Sequence, residues 1–379
     1  MILHRKKCRI AKRDAISDGL FEINDGHFSI HWSLHLLAAA ICIIFAIWVW
    51  MLNPIPQIHG DQINIVTMIL SKENPDNFAR DIIYAGRIAD YYPVSMRWII
   101  SFFITKFGII GGHRVLQFPL SIAYLLMMYG VLYYITRSVS ASLLTALASI
   151  IWRWSMGETY WGLDRLQAVQ PRSFAIIFYP VLFVLLWKFR NSWKLLIPFF
   201  ITGLIFNINP PSSLSFAILG WWSLFLISLR NRSRIVRLII GGLTFIIGAS
   251  PYLFTNLAIR KSCAINLKGQ ALQEHMDAVN YWSSRLWQIL LPANHFAKAL
   301  FLGFSSLIIL ATISWCLRKE NRNIFDSWLL CFFTLAFVGT IVNQYIMRQL
   351  YIQFKFTSDL LDLIRGNKFA YLGVCPSNN

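Results

Sequence analysis

Asp61, Glu73, Asp76, Asp81 and Asp90 crowd into one stretch of a 379-residue chain whose formal net charge is +18. Between Asp90 and Glu274 only Glu158 and Asp164 follow. A carboxylate kept beside a bilayer is costly and usually functional. Two chemistries suit such a group: removing a proton from a hydroxyl, or holding a hard divalent cation. Asp61 follows His59 and Gly60, and the glycine permits a tight turn. There Asp61 can serve as a base, and it equally suits the cap of a helix that opens at Gln62. Further along, Asn74-Pro75-Asp76-Asn77-Phe78-Ala79-Arg80-Asp81 sets Arg80 next to Asp81, with Arg87 and Arg97 in the same loop. The donor fork of arginine binds phosphate oxygens bidentately. The competing reading of Arg80 and Asp81 is a surface ion pair of little energy.

Two more constellations carry polar groups into apolar surroundings. The stretch Trp152 to Arg172 holds Trp154, Glu158, Tyr160, Trp161, Asp164, Arg165, Gln167, Gln170 and Arg172. Aromatic faces that stack on sugar rings, beside carboxylates and amides that bind hydroxyls, describe a sugar-binding surface. A membrane-interface belt explains the tryptophans alone, but not Gln167, Gln170 and Arg172 at the mouth of the next apolar run. In Asn207-Ile208-Asn209-Pro210-Pro211-Ser212-Ser213, paired prolines break two short spans. This is either a tight hairpin or a polar break lining a cavity. His113 and His295 border spans and read as interfacial. The cysteines show no metal-ligand spacing, a Cys263–Cys375 disulfide is conceivable only because both fall on one side, and no Walker loop, nucleophile elbow or HExxH occurs.

These groups must be positioned by membrane helices. The chain is 56% hydrophobic and 14% charged, against about 25% charged in ordinary globular chains, and its mean hydropathy is +0.54. The pI near 9.9 reflects basic loops that set topology rather than a nucleic-acid partner. Residues 1–31 are expected to be cytoplasmic, ahead of an uncleaved signal anchor. At roughly 20 residues per crossing, about nine spans are expected: 32–52, 115–136, 139–153, 172–189, 194–208, 212–229, 235–257, 298–317 and 324–346. The short segment 97–112 carries Arg97 and Lys106 and is expected to lie in the outer interface. With that assignment Lys188/Arg190/Lys194, Arg230/Arg232/Arg234/Arg237 and Arg318/Lys319/Arg322 all fall on the inner side with the N-terminus. The outer loops are then 53–114, 154–171 and 258–297, the last with a surface helix whose apolar positions include Leu272, Trp282 and Ile289. Residues 347–379 form an extracytoplasmic tail, or the start of a soluble domain, with a short helix ending near Gly366 and a strand over Lys368 to Cys375.

This layout resembles the GT-C superfamily of polytopic glycosyltransferases, and most closely its bacterial branch that uses polyprenyl-phosphate sugars. The likeness rests on a GDxxN-like start to the first outer loop (Gly60-Asp61-Gln62-Ile63-Asn64) and an FxRD-like element (Phe78-Ala79-Arg80-Asp81). It rests also on a QxR-like element before a span (Gln170-Pro171-Arg172) and a polar-Pro break (Asn209-Pro210). The resemblance implies an all-α, GT-C-like bundle of about nine transmembrane helices with outer interfacial helices. It implies an enzyme that moves a sugar from a polyprenyl-phosphate donor to an acceptor on the outer face of the cytoplasmic membrane. Asp61 and Asp81 would be the catalytic acids, acting directly or through a divalent metal ion. Arg80 and Arg172 would face the donor phosphate, and Gln170, Arg165, Trp161 and Asn209 would contact substrate. The rivals are a flippase of lipid-linked sugars and a non-catalytic GT-C-like membrane protein. Spans nearly free of carboxylates argue against ion-coupled transport.

Overall fold

The structure, a computed structural model, describes residues 32–52, 61–79, 92–151, 169–229 and 231–262, together with helical positions 328, 331, 332, 334 and 335. Its helices in chain order are α1 (Trp32–Leu52), α2 (Asp61–Glu73), α3 (Val94–Thr136), α4 (Val139–Ile151), α5 (Pro171–Lys188), α6 (Leu196–Phe206), α7 (Pro210–Ser228) and α8 (Arg232–Ser262). Single 3-10 turns stand at Pro75–Phe78 and Trp193–Leu195, and no strand occurs among the described residues. By length and apolar composition α1, α3, α5, α7 and α8 can cross a membrane, while α4 and α6 are shorter apolar helices. The described residues are therefore all-helical, and their long apolar helices make this a membrane-embedded protein. The expected span 298–317, the helix around 272–289, most of 324–346 and the tail 347–379 lie outside the described residues.

The expected boundary between an interfacial segment and a span is placed differently here. Instead of a break near residue 113, α3 is nominally a single 43-residue helix, interrupted at Gly108 by φ 72 and ψ 172. A straight helix of that length would run about 65 Å, roughly twice the hydrocarbon thickness. That backbone conformation is open almost only to glycine. The chain turns back sharply at this point. A methyl group on Gly112 would stand 2.8 Å from the carbonyl carbon of Phe103, a residue some 13 Å away along an unbroken helix. Thus residues 94–107 form an arm folded against the start of the span 109–136. Gly108 makes the turn, and Gly112 permits the close approach.

Two layers of apolar side chains show which ends of the helices lie together. The main core joins α1 and α3 through α8, with Trp328 and Phe332 seated among Phe183, Trp187 and Phe216. Trp328 Nε1 donates to Ser223 Oγ at 3.0 Å. A second cluster gathers Ile65, Met68 and Ile69 of α2, Met96, Ile100 and Ile104 of the arm, Leu116 and Val169, with Phe174 and Ile208 against it. So α2, the arm, the start of α5 and the α6–α7 hairpin share one end of the bundle. Running α5 to α8 antiparallel puts Lys188, Arg190, Lys194, Arg232, Arg234 and Arg237 at the opposite end, where an Arg237 guanidinium N–H donates to the Asn191 carbonyl. In α1, Trp50 Nε1 donates to Arg114 O at 3.1 Å, while His35 Nδ1 lies 2.7 Å from the Tyr129 hydroxyl. Hence α1 starts at the basic end and delivers the chain to the end that carries α2.

The α6–α7 hairpin is held by side chains rather than by its turn alone. Backbones of α6 and α8 touch where Gly203 faces Phe245 O, and a methyl on Gly248 would stand 2.6 Å from Phe200 O. Small residues permit such contact between membrane helices. Pro251 interrupts α8 nearby and lacks the N–H that Ile247 O would accept; Ser250 Oγ donates to that carbonyl instead, at 2.8 Å. Asn207 bridges the next turn, its Nδ2 donating to Gly248 O and its Oδ1 accepting from Tyr252 N, both at 2.8 Å.

Candidate functional site

Asp61 is the first residue of α2. The helix is anchored beneath it. Gln62 is fully buried, Ile65, Val66, Met68 and Ile69 enter the second cluster, and Asn64 Nδ2 donates to the Tyr92 hydroxyl at 2.9 Å. Glu73 closes the same helix, about 18 Å along the axis from Asp61, and Asp76 follows it in an exposed 3-10 turn. Of the loop carboxylates whose backbone is described, only Asp61 therefore stands at the start of α2. Arg80 and Asp81 begin just past the described residues, and Trp161 and Arg165 also lie outside them.

The arm that packs on α2 has two faces. Met96, Ile100 and Ile104 recur every four residues and are buried. Trp98 is 77% exposed, and Phe102 and Phe107 are also exposed, with Lys106 Nζ 4.4 Å from the Phe102 ring centroid. Exposed aromatics mixed with cations mark a helix lying in a membrane interface. An open groove of about 600 Å³ runs between arm and α2, with Lys72, Glu73 and Arg97 among its lining residues.

Gln170, Arg172 and Asn209 are described. Gln170 takes an extended conformation ahead of Pro171, which is the first residue of α5; proline suits that position because its missing N–H has no helical partner there. The Gln170 backbone N–H is met by Ser173 Oγ at 3.4 Å. Gln170 is 2% exposed, and Arg172, in the first turn, is half-buried. Asn209 precedes Pro210 and α7 in the same way. Its Nδ2 donates to Ser212 Oγ at 2.9 Å, and Ser213 Oγ lies 3.1 Å from the Tyr179 hydroxyl of α5. Of the two readings of this break, the hydrogen bonds make it a braced hairpin. The neighbours Val169 and Ile208 both enter the cluster formed by α2, so the elements carrying Asp61, Gln170, Arg172 and Asn209 meet at one end.

One polar pair at this end escaped the sequence reading. His113, Gln117 and Ser121 fall four residues apart along α3 and are buried. His113 Nδ1 donates to Ile109 O at 2.7 Å, and Ser121 Oγ donates to Gln117 O at 2.9 Å. Among the described residues, His113 Nε2 and both polar side-chain atoms of Gln117 find no hydrogen-bond partner. Each such buried group costs about 1–3 kcal/mol. The signal is three polar residues at helical spacing inside an apolar run, whereas His113 read singly is an interfacial residue. No three His, Cys, Asp or Glu side chains converge among the described residues. No family model, no curated protein and no solved structure matches this chain.

Proposed function

We propose that this protein is a membrane glycosyltransferase of the GT-C type. It moves a sugar from a polyprenyl-phosphate donor to an acceptor hydroxyl on the outer face of the cytoplasmic membrane, within a bundle of about nine spans. The observation that carries the reading is the meeting of four elements at one end of the bundle: α2 with Asp61 at its head, the interfacial arm, the Gln170–Arg172 entry to α5, and the Asn209 hairpin. A lipid-borne donor requires a site at the interface, where its phosphate stays wet and its chain stays in hydrocarbon.

In the proposed reaction the Asp61 carboxylate takes the proton of the acceptor hydroxyl. The acceptor oxygen forms its bond to the anomeric carbon as the bond from that carbon to the phosphate oxygen breaks, with inversion. The electron pair leaves on the polyprenyl phosphate, whose charge Arg80 and Arg172 offset. Asp81 is the second catalytic acid, and Arg165, Trp161, Gln170 and Asn209 orient the sugar and acceptor. General-base removal by Asp61→Asn should lower turnover by about 10²- to 10⁴-fold. The check is transfer of radiolabelled sugar from a polyprenyl-phosphate donor by purified protein in lipid nanodiscs, with folding verified by gel filtration. Undiminished turnover in Asp61→Asn would remove Asp61 from the mechanism.

A further inference from the structure

We propose that His113 and Gln117 form a binding point for an uncharged polyol, the hydroxyls of a sugar ring, inside the outer end of the bundle. The pair is 0% and 1% exposed, one helical turn apart, which sets the two Cβ atoms about 5–6 Å from each other. Leu116 and Leu120, from the same buried stretch of α3, pack with α2, Val169, Phe174 and Ile208. The pair therefore lies directly beneath the elements that carry Asp61, Gln170 and Asn209.

Its hydrogen-bonding inventory selects the ligand class. Nδ1 of His113 is committed as a donor to a carbonyl that can only accept, which leaves Nε2 of the neutral ring as an acceptor. The Gln117 amide adds one acceptor atom and one donor atom, both unpartnered. A phosphate offers acceptors and would face the Nε2 lone pair. A cation would find no carboxylate anywhere along α3. An acyl chain would leave every orphaned atom unmet. Hydroxyls donate and accept at once, and adjacent hydroxyls on one ring answer both side chains. Orphaned polar groups inside a membrane protein destabilise the empty state, so their retention favours a bound state that satisfies them. The inference deepens the glycosyl-transfer reading, on which it rests for the choice of a sugar as the polyol.

The test keeps the full chain in lipid nanodiscs and titrates octyl glucoside, octyl galactoside and octyl mannoside, with octyl tetraethylene glycol ether as the control. Binding is read by calorimetry and by the thermal midpoint, in wild type, Gln117→Leu and His113→Phe. At least one glycoside should bind wild type roughly tenfold more tightly than the ether. Both substitutions should bring that preference near unity. Gln117→Leu should also raise the midpoint of the ligand-free protein, because an apolar side chain replaces two orphaned atoms. A preference that survives both substitutions would overturn the proposal, as would its absence in wild type. A fall in the ligand-free midpoint of Gln117→Leu would do the same, by showing that the amide is already satisfied by buried water. Loss of sugar transfer with the preference intact would sink only the transferase reading; transfer without the preference would sink only this site.

Discussion

Asn207 explains more of this fold than any residue singled out for chemistry. Its amide joins α6 to the turn of α8 that Pro251 disturbs, meeting Gly248 O and Tyr252 N at once. Asn207→Leu strands both groups, at about 1–3 kcal/mol each. Pro251→Ala should let Tyr252 N return to Gly248 O and so shrink the cost of losing Asn207. Denaturant unfolding of the four proteins in a double-mutant cycle measures this coupling, and strictly additive costs would show that the bridge does not work as described. The sequence exposed the break around Asn207, but not this role, because the partners lie more than forty residues downstream. Asn209 was legible in a different sense. Its place before Pro210 announces a helix start, and the structure has one there. The chemical roles expected of Asp61 and Arg172 depend on where side chains point, which spacing does not fix.

At the scale of the element, the arm of α3 separates what a sequence reveals from what it conceals. Exposed Trp98, Phe102 and Lys106 lie opposite buried Met96, Ile100 and Ile104, and an interfacial segment over 97–112 is expected from its shortness and from Arg97 and Lys106. The position of the turn was not, since Gly108, Gly111 and Gly112 are equal candidates on paper. Gly108 alone has a positive φ, and Gly112 alone among the three lies against the backbone of the arm. Gly112→Val should therefore push the arm away, because the obstructing atoms are main chain and cannot rotate aside. Amide hydrogen exchange should speed up over residues 96–104 and 65–69, which share the second cluster, and remain slow over residues 121–132 in the main core. Unchanged exchange over 96–104 would mean that the close approach at Gly112 does not hold the arm. Most helix limits were legible because apolar run length sets them. The 3-10 entry to α6 and the merging of arm and span were not, because tertiary contacts decide both.

For the whole molecule, charge and packing agree on an asymmetry that neither gives alone. The basic loops at 188–194 and 230–237 contain no carboxylate, and helix direction brings them to the end of the bundle opposite α2. Packing fixes only which segments share an end. The excess of Lys and Arg is the pattern expected of a cytoplasmic end, and the proposed function needs that orientation, with Asp61 outside where a lipid-linked donor would be used. An arm that crossed the membrane would instead have set α2 and the start of α5 at opposite ends, contrary to their shared cluster. Cysteine labelling in whole cells tests the absolute sense. Ser95 on the arm and Ser233 at the head of α8 are both exposed, so each tolerates Ser→Cys in a background stripped of native cysteines. A membrane-impermeant maleimide should modify Ser95→Cys in intact cells and reach Ser233→Cys only after permeabilisation. The opposite pattern would invert the protein and remove an outward-facing Asp61 from the reaction. Labelling of both from one side would break the antiparallel order of the helices themselves.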